Sequence, residues 1–131
     1  MNRAIRFRAW DRSGGEVMLE VYSIDFFNRR IQFGAGVDDW RNWDDSGEGI
    51  TLMQFTGLKD RNGREIYEGD VLDWNGDGGV WVVQWSEKDC GFNMYDAKNP
   101  HVNPYPIPLH AKYVSVIGNV YENPELLQRA A

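Results

Sequence analysis

The sequence predicts a mainly β fold, built as a small bent sheet or β-barrel and followed by a short C-terminal helix. Residues 5–12 alternate between apolar and polar side chains, which is the period of a half-buried strand. Fourteen glycines and five prolines divide the chain into short apolar segments. Six residues each of Trp, Tyr and Phe supply the large rings with which a small β domain buries area. Short strands at close spacing are typical of a strongly bent sheet or a small barrel.

The first 33 residues predict paired strands. The first strand carries one mixed face of cationic and aromatic side chains: Arg6, Arg8, Trp10 and Arg12. A Gly-containing turn leads to a second strand that begins at Val17, and its alternation slips at residues 22–23, which predicts a β-bulge. Residues 28–30 predict a turn, and residues 31–33 predict a short return strand.

Residues 34–49 have no usable period and are rich in glycine and aspartate. They predict a long surface loop, with a helical turn around residues 40–43 as an alternative. Five acids share this stretch: Asp38, Asp39, Asp44, Asp45 and Glu48. Their spacing matches no EF-hand loop, whose ligands alternate around a glycine. A solvated acidic surface is therefore favoured over a metal site, with a protein-binding patch or nucleic-acid mimicry as further alternatives.

The stretch 52–74 is the most strongly specified part of the chain. Asn62-Gly63 predicts a hairpin with a type I′ turn, because both residues tolerate the positive φ angles that this turn requires. Glu68-Gly69-Asp70 predicts a second turn, in which short acidic side chains accept hydrogen bonds from nearby backbone amides. We therefore assign a structural turn motif, rather than acid–base catalysis, to these residues: Gly57, Asn62, Gly63, Glu68, Gly69 and Asp70.

The C-terminal part predicts the strands of a further sheet. Residues 80–85 are apolar on both faces, as in a central strand, and shorter strands are predicted at 71–74, 92–95 and 113–117. Residues 99–108 hold four of the five prolines, cannot form a regular ladder and are expected to wrap the surface. Gly118-Asn119 predicts a kink in the last strand. Asn123, Pro124 and Glu125 predict the start of a short helix.

The charge balance is acidic and uneven. The net charge is −6 and the pI is about 4.8, which repels a phosphate backbone. Residues 1–33 carry six Arg against four acids, a net +2, and residues 34–54 carry one Arg against five acids, a net −4. We favour the interpretation that these charges keep the protein soluble over the interpretation that they attract a partner.

The single cysteine, Cys90, excludes an internal disulfide and favours a reducing cytoplasm. No apolar run approaches the ~20 residues of a membrane-spanning helix. The charged N-terminus lacks the apolar core of a signal peptide, so we expect no secretion by that route.

The face formed by Arg6, Arg8, Trp10 and Arg12 is the candidate partner-binding surface. Interleaved guanidinium and aromatic groups bind single-stranded nucleic acid by pairing with phosphates and stacking on bases. Trp and Arg are also common anchors of protein interfaces. A plain strand face, on which the arginines pair with surplus carboxylates and Trp10 packs beneath them, is nevertheless favoured over both kinds of binding.

No catalytic residue, cofactor or metal is predicted. Three residues with suitable side chains match no metal-ligand or nucleophile pattern: Cys90, His101 and His110. The chain has no Walker loop, no G-x-S-x-G and no dinucleotide fingerprint.

Trp74, Trp81 and Trp85 indicate core and rim packing. An aromatic groove for a proline-rich peptide, including the chain's own residues 99–108, is an alternative.

Three ordered blocks carry a family signature. They are IRFRAWD at 5–11, MQFTGLKD with the following NG and IYEGDV at 53–71, and IGNVYENP at 117–124. Together they resemble the YopX protein family of bacteriophages and prophages. The resemblance implies a phage or prophage origin and a β-rich protein with an SH3-like barrel in its C-terminal part. It brings no established activity and no catalytic residues.

We therefore expect one YopX-like domain over residues 1–131, with hairpins and the acidic loop in residues 1–51 and the barrel portion in residues 52–131. The expected function is a non-enzymatic, cytoplasmic binding module in an infected or lysogenic bacterial host. Its expected partner is a host or phage protein, with no cofactor and no membrane. A metal-dependent hydrolase or nuclease using the acidic loop is one alternative. Nucleic-acid binding through the Arg6/Arg8/Trp10 face is another, although the net charge disfavours it. Homo-oligomerisation through unpaired sheet edges is a third.

Overall fold

The computed structural model of the chain describes residues 3–12, 16–33, 40–43, 49–74, 76 and 79–128. The mainly β prediction is confirmed, since the described residues contain strands in two antiparallel sheets and only short helices. The strands are β1 (Phe7–Asp11), β2 (Val17–Asp25), β3 (Arg30–Phe33), β4 (Trp40–Asn42), β5 (Ile50–Lys59), β6 (Glu65–Tyr67), β7 (Asp70–Trp74), β8 (Trp81–Ser86), β9 (Gly91–Asp96), β10 (Tyr105–Pro106) and β11 (Val114–Asn119). The helices are α1 (Ile107–His110), a 3₁₀ turn (Ala111–Tyr113) and α2 (Glu125–Gln128).

The chain divides into two compact units. One is Ala4–Gln54, and the other is Phe55–Ala131 together with Met1–Arg3. The division falls inside β5, whose first half pairs with β1 and whose second half pairs with β6. The assignment of residues 1–131 to a single domain, with sub-regions 1–51 and 52–131, stays a prediction.

The N-terminal unit has β1 at the centre of its sheet. β1 pairs with β2 on one side and with β5 on the other, and β3 and β4 follow beyond β2. Ala9 lies opposite both Leu19 and Leu52, and it belongs to a small apolar core with Ile31 and Ile50. The predicted bulge after Val21 is confirmed by a register shift between β2 and β3. The period-two alternation therefore places the first strand and its partner correctly.

The prediction for residues 34–49 is wrong in its middle. Trp40–Asn42 is a strand that pairs with β3, with Arg41 opposite Ile31, and not a loop or a helical turn. An edge strand of three residues is too short to show a period of two, so the sequence contains no signal for it. The five acids of this stretch all fall at positions 34–39 and 44–48, which lie outside the described residues.

The hairpin at Asn62-Gly63 forms, but the predicted type I′ turn is wrong. Gly63 has a φ of 84°, whereas Asn62 is not among the residues with positive φ. The turn is closed by the Gly63 N–H, which donates to the carbonyl of Asp60 at 3.0 Å. A turn followed by a glycine in the left-handed region is the usual longer hairpin connection. Aspartate at its first position is favoured because its side chain accepts nearby amides.

The C-terminal unit contains an open five-stranded sheet. Strands β7 to β10 follow one another, and β11 returns to pair with β7. The prediction of a central strand at residues 80–85 is confirmed, because β8 lies between β7 and β9 with Val82 and Val83 buried. In the described part of the chain no pairing connects β10 with β11, so the sheet is not a closed barrel. The SH3-like description stays a prediction.

The expectation that residues 99–108 only wrap the surface is wrong at their C-terminal end. Tyr105 pairs with Met94 of β9, and Ile107 is fully buried in the core. Proline is compatible with this position because β10 is an edge strand, where a missing N–H breaks no ladder. Pro106 then precedes the first residue of α1 with a φ of −62°. The same prolines that forbid a long strand thus allow a short edge strand that turns into a helix.

The last strand and the terminal helix agree with the sequence. The register of β11 against β7 shifts between Val116 and Gly118, which confirms the predicted kink. A Cβ added at Gly118 would lie 2.5 Å from Oδ1 of Asn123 and 2.8 Å from Cδ1 of Leu126. The predicted terminal helix forms as α2, which starts at Glu125, one residue after the predicted first helical position, Pro124. The Asn123 side chain, however, accepts the N–H of Asn119 at 3.2 Å, so it ties the helix start to the end of β11.

Candidate functional site

The predicted binding face on β1 is not an exposed Arg/Trp surface. Arg6 and Arg12 are exposed and Arg8 is half-buried, but Trp10 is only 6% exposed. Ala9 and Asp11 on one face of β1 are also fully buried, so the middle of the strand is covered on both faces. The indole of Trp10 therefore cannot stack on a nucleotide base in this conformation. Arg6 and Arg12 are accessible on this strand face, so the candidate partner-binding role of the four residues stays a prediction.

The other face of β1 holds a fully buried carboxylate, Asp11. Its Oδ2 accepts a hydrogen bond from Nη1 of Arg41, which reaches it from β4. The guanidinium of Arg41 also lies 4.7 Å from the ring centroid of Phe33. A buried charge needs such a partner, because an uncompensated carboxylate in an apolar core is strongly unfavourable. Arg41, the one cation of residues 34–54, is therefore part of the fold rather than of a free acidic loop.

The residues considered for metal or nucleophile chemistry lie on separate elements. Cys90 is exposed on the turn between β8 and β9, with a φ of 50°, and its Sγ lies 3.6 Å from the carbonyl of Glu87. His101 is exposed in the β9–β10 connection, and His110 packs against Trp74. Within the described ranges, no group of three or more His, Cys, Asp and Glu residues is arranged to hold a metal ion.

Asp60 organises the hairpin and the edge of the second sheet at the same time. Its Oδ1 accepts the N–H groups of Asn62 and Arg64 at 2.8 and 2.9 Å. Its Oδ2 accepts the N–H of Val116 at 2.8 Å, across 56 positions of sequence. The neighbouring N–H of Arg61 donates to the carbonyl of Val114 at 2.9 Å. Two backbone groups of β11, the carbonyl of Val114 and the N–H of Val116, are thus bonded to this turn, which protects part of the sheet edge.

The second turn of the motif joins three parts of the C-terminal unit. Gly69, with a φ of 82°, donates its N–H to the carbonyl of Val83 and accepts the N–H of Val120, each at 2.9 Å. The buried Asp70 accepts the N–H of Tyr67 at 2.7 Å, and Glu68 between them is half-buried. A side chain at position 69 would be strained at this φ.

The remaining motif residues lie in β5 and its hairpin. Gly57 sits where the register of β5 against β6 shifts, and Asn62 is exposed in the hairpin turn. Asn62, Gly63 and Asp70 are thus bonded within their own turns, whereas Gly69 is bonded to the distant residues Val83 and Val120.

The β2–β3 hairpin presents two phenylalanines to solvent. Phe27 is 94% exposed and Phe26 is 65% exposed. The Phe26 ring contacts those of Phe7 and Trp43 edge-on, with centroid distances of 6.5 and 6.0 Å. The guanidinium of Arg29 lies 5.8 Å from the Trp43 ring. The tip of this hairpin is therefore an ordered aromatic surface with a cation beside it.

Asp25 holds the hairpin tip in place. Its carboxylate accepts the side-chain and backbone N–H groups of Asn28 at 2.8 and 3.1 Å and Nε of Arg30 at 3.1 Å. The side-chain hydrogen bond from Asn28, followed by its backbone hydrogen bond and by Arg30, lowers the pKa of Asp25. Residue Arg29 completes the turn with a φ of 53°. The two exposed phenylalanines thus lie on a turn that these hydrogen bonds hold together.

Four rings form a cluster in the C-terminal unit, which we call the aromatic cluster: Trp74, Trp81, Tyr105 and His110. Trp74 lies 5.4 Å from Trp81, 5.0 Å from Tyr105 and 5.2 Å from His110 between ring centroids. Tyr105 also contacts Trp81 and His110, at 5.5 and 5.1 Å. The contacts are all edge-on, the arrangement favoured by ring quadrupoles.

Tyr105 of the proline-rich segment therefore packs on Trp74 and Trp81. That residues 99–108 occupy an aromatic groove stays a prediction. Trp85 is separate from this cluster and packs on Phe92 at 5.1 Å.

Sequence reasoning missed the backbone contacts of Asp60, the exposed tip of the β2–β3 hairpin and the exposure of Leu109 and Tyr113. Asp60 lies in a recognised block, and an Asp at the start of a turn is a signal for backbone capping. The pair Phe26-Phe27 directly before Asn28 places two large rings at a turn, which is also visible in the sequence. Their exposure, however, depends on what the fold leaves uncovered.

These features define a mainly β protein of two small antiparallel units, with exposed aromatic residues on ordered turns. The model of the YopX protein family matches residues 6–128, and the chain belongs to this family. The crystal structure of protein EF1440 from Enterococcus faecalis is similar to it, with 26% identity and a TM-score of 0.63. That similarity covers 96% of this chain and 99% of the other. No curated protein matches the chain. In the described ranges, no helix has the length and apolar character to cross a bilayer.

Proposed function

We propose that this protein is a non-enzymatic module that binds a protein partner. The observation that carries the proposal is Phe27, a large apolar side chain that is almost fully exposed on a turn clamped by Asp25. Burying one phenylalanine side chain contributes about 1.5–3 kcal/mol. An ordered loop loses little conformational entropy when its side chains are buried in a complex, so more of that contribution remains as affinity.

The aromatic character of the tip supports a protein rather than another partner. Interfaces are enriched in aromatic residues and arginine, and the tip combines Phe26 and Phe27 with Arg29. The family match supports the further proposals of a phage or prophage origin and of action in the bacterial cytoplasm. The partner is then a host or phage protein.

Nucleic-acid binding is less well supported, because it was predicted on a face whose Trp10 is buried. A labelled oligonucleotide at low salt tests it directly. Binding that disappears in an Arg6→Glu/Arg12→Glu variant would establish it in place of the protein partner. Turnover of a nuclease or esterase substrate that requires a divalent metal and is lost in Asp44→Ala/Asp45→Ala would establish the hydrolase alternative.

Photo-crosslinking tests the proposed function. A photoreactive amino acid at position 27 is compared with one at the exposed position Gln84 of β8, in the protein expressed in a bacterial host with and without phage. We expect a discrete protein adduct from position 27 and none from position 84. The purified adduct partner should then bind the wild type and lose affinity for Phe27→Ser about tenfold or more. Equal labelling from both positions, or an unchanged affinity of Phe27→Ser, would contradict the proposal.

A further inference from the structure

Residues 97–121 are the longest part of the chain without a carboxylate. They contain Lys98 and Lys112, and neither Asp nor Glu, so they contribute +2 to a net charge of −6. The other 106 residues therefore carry −6 − 2 = −8. A carboxylate that approaches this segment meets no like charge within it, whereas residues 1–33, which also carry a net +2, include four acids. The charge of the segment is therefore compatible with an acidic partner.

The middle of this segment has two faces. Ile107 and Ala111 are four residues apart and are buried in the core of the C-terminal unit. Leu109 and Tyr113 are also four residues apart, but they are 67% and 44% exposed. Because α1 continues into the 3₁₀ turn, residues at these spacings fall on opposite sides of one short helical segment. One side anchors the segment, and the other presents two large apolar side chains.

Ring contacts and a hydrogen bond attach this helical segment to the rest of the unit. Tyr105 packs on Trp74 and Trp81, and Nδ1 of His110 donates a hydrogen bond to the carbonyl of Pro106 at 2.8 Å. The aromatic cluster therefore attaches residue 105, which precedes helix α1, and the buried side chain of Ile107 attaches the start of α1. A surface held in this way does not need to be ordered on binding.

A cation lies within the same surface. Nζ of Lys112 is 5.2 Å from the centroid of the Tyr113 ring. The exposed residues Tyr105, Leu109, Lys112 and Tyr113, which we call the 105–113 face, thus combine apolar area with one positive charge. A ligand that places a carboxylate next to an apolar side chain would be complementary to this face.

We propose that the 105–113 face binds an acidic peptide segment of the partner that carries apolar anchor residues. The inference rests on the proposed function in that the partner is a protein, but it uses a surface other than the hairpin tip. Leu109 and Tyr113 contact the anchors, and Lys112 pairs with a carboxylate.

Nuclear magnetic resonance with ¹⁵N-labelled protein tests this inference. The probes are a twelve-residue peptide that alternates Glu with Leu and Phe, and the same peptide with Lys in place of Glu. We expect the acidic peptide to shift the backbone amides of residues 105–113, and the basic peptide to shift none of them. Affinity should fall about fivefold or more in Leu109→Ser and in Lys112→Glu. The matched control Lys88→Glu, at an exposed lysine of the β8–β9 turn, should leave the affinity unchanged.

Several outcomes would overturn the inference. They are equal binding of both peptides, shifts centred on residues 26 and 27, and an unchanged affinity in Leu109→Ser. Concentration-dependent dimerisation in sedimentation velocity, abolished by Leu109→Ser, would assign the face to a second copy of the chain. Co-sedimentation with vesicles of anionic lipid that is lost in Lys112→Glu would assign it to a membrane surface. If position 27 crosslinks a protein while the acidic peptide does not bind, the proposed function stands and this inference falls.

Discussion

Replacing Asp60 by alanine is the most informative perturbation of the fold, because one carboxylate serves three backbone N–H groups. The N–H of Val116 is buried, and leaving a buried donor without a partner costs about 1–3 kcal/mol. Asn62 and Arg64 are exposed, so water replaces the carboxylate there, at a net loss of about 0.5–1 kcal/mol each. We therefore expect Asp60→Ala to lower the free energy of unfolding by about 2–5 kcal/mol.

Urea unfolding followed by tryptophan fluorescence measures this change, and hydrogen exchange locates it. We expect a lower midpoint with an unchanged m-value, and faster exchange of the Val116 amide than of other β11 amides. Asp60→Asn keeps one acceptor oxygen and should lose about half as much. Glu87→Ala removes one carboxylate at an exposed turn position and is expected to stay within about 0.5 kcal/mol of the wild type. If Asp60→Ala destabilises no more than Glu87→Ala, the assigned role of Asp60 is wrong.

Three further predictions concern packing and titration. Gly118→Ala should lower the free energy of unfolding by about 1–3 kcal/mol, because the new Cβ lies 2.5 Å from a side-chain oxygen. The control Gly91→Ala, whose Cβ would have nothing nearer than 3.8 Å, should behave like the wild type in thermal unfolding. Asp25, whose pKa is lowered chiefly by the side-chain hydrogen bond from Asn28, stabilises the folded state above the unfolded pKa of about 3.9 and loses this effect as the pH falls through the folded pKa. A carbon-13 titration should therefore show the carboxyl pKa rising toward its ordinary value in Asn28→Ala, and an unchanged value would contradict the hydrogen-bond assignment. Ile107→Ala should lower the unfolding free energy by about 2–5 kcal/mol, since the side chain is fully buried, and a loss below about 1 kcal/mol would show that α1 is not anchored in the core.

The N-terminal strand shows how far a sequence pattern reaches. Alternation in residues 5–12 predicts β1 and the set of side chains that share a face, and both are correct. It leaves open whether Trp10 is exposed for binding or packed beneath the arginines, and the structure shows that Trp10 is buried. A period of two states which residues lie on the same face, but it contains nothing about what covers that face. Whether the candidate surface on β1 can bind a partner depends on what covers that face, which the alternation does not state.

The C-terminal unit shows a different limit. The turn residues around Asn62-Gly63 and Gly69 predict where the chain reverses, because these residue types have strong local preferences. The bond from Val116 to Asp60 joins positions 56 residues apart, and no local pattern contains it. The short strands β4 and β10 escaped prediction for the same reason, since two or three residues acquire strand geometry only from the strand beside them.

The sequence by itself determined the mainly β class, the position of most strands and turns, and the resemblance to the family to which the chain belongs. These follow from residue preferences and periodicities that act over a few neighbouring positions. The tertiary structure decided which aromatic residues are buried and which are presented to solvent. Trp10 is covered, whereas Phe27 and Leu109 are exposed, although all three are large apolar residues. Exposure is set by the packing of distant segments, and it is exposure that turns an apolar side chain from part of a core into part of a binding surface.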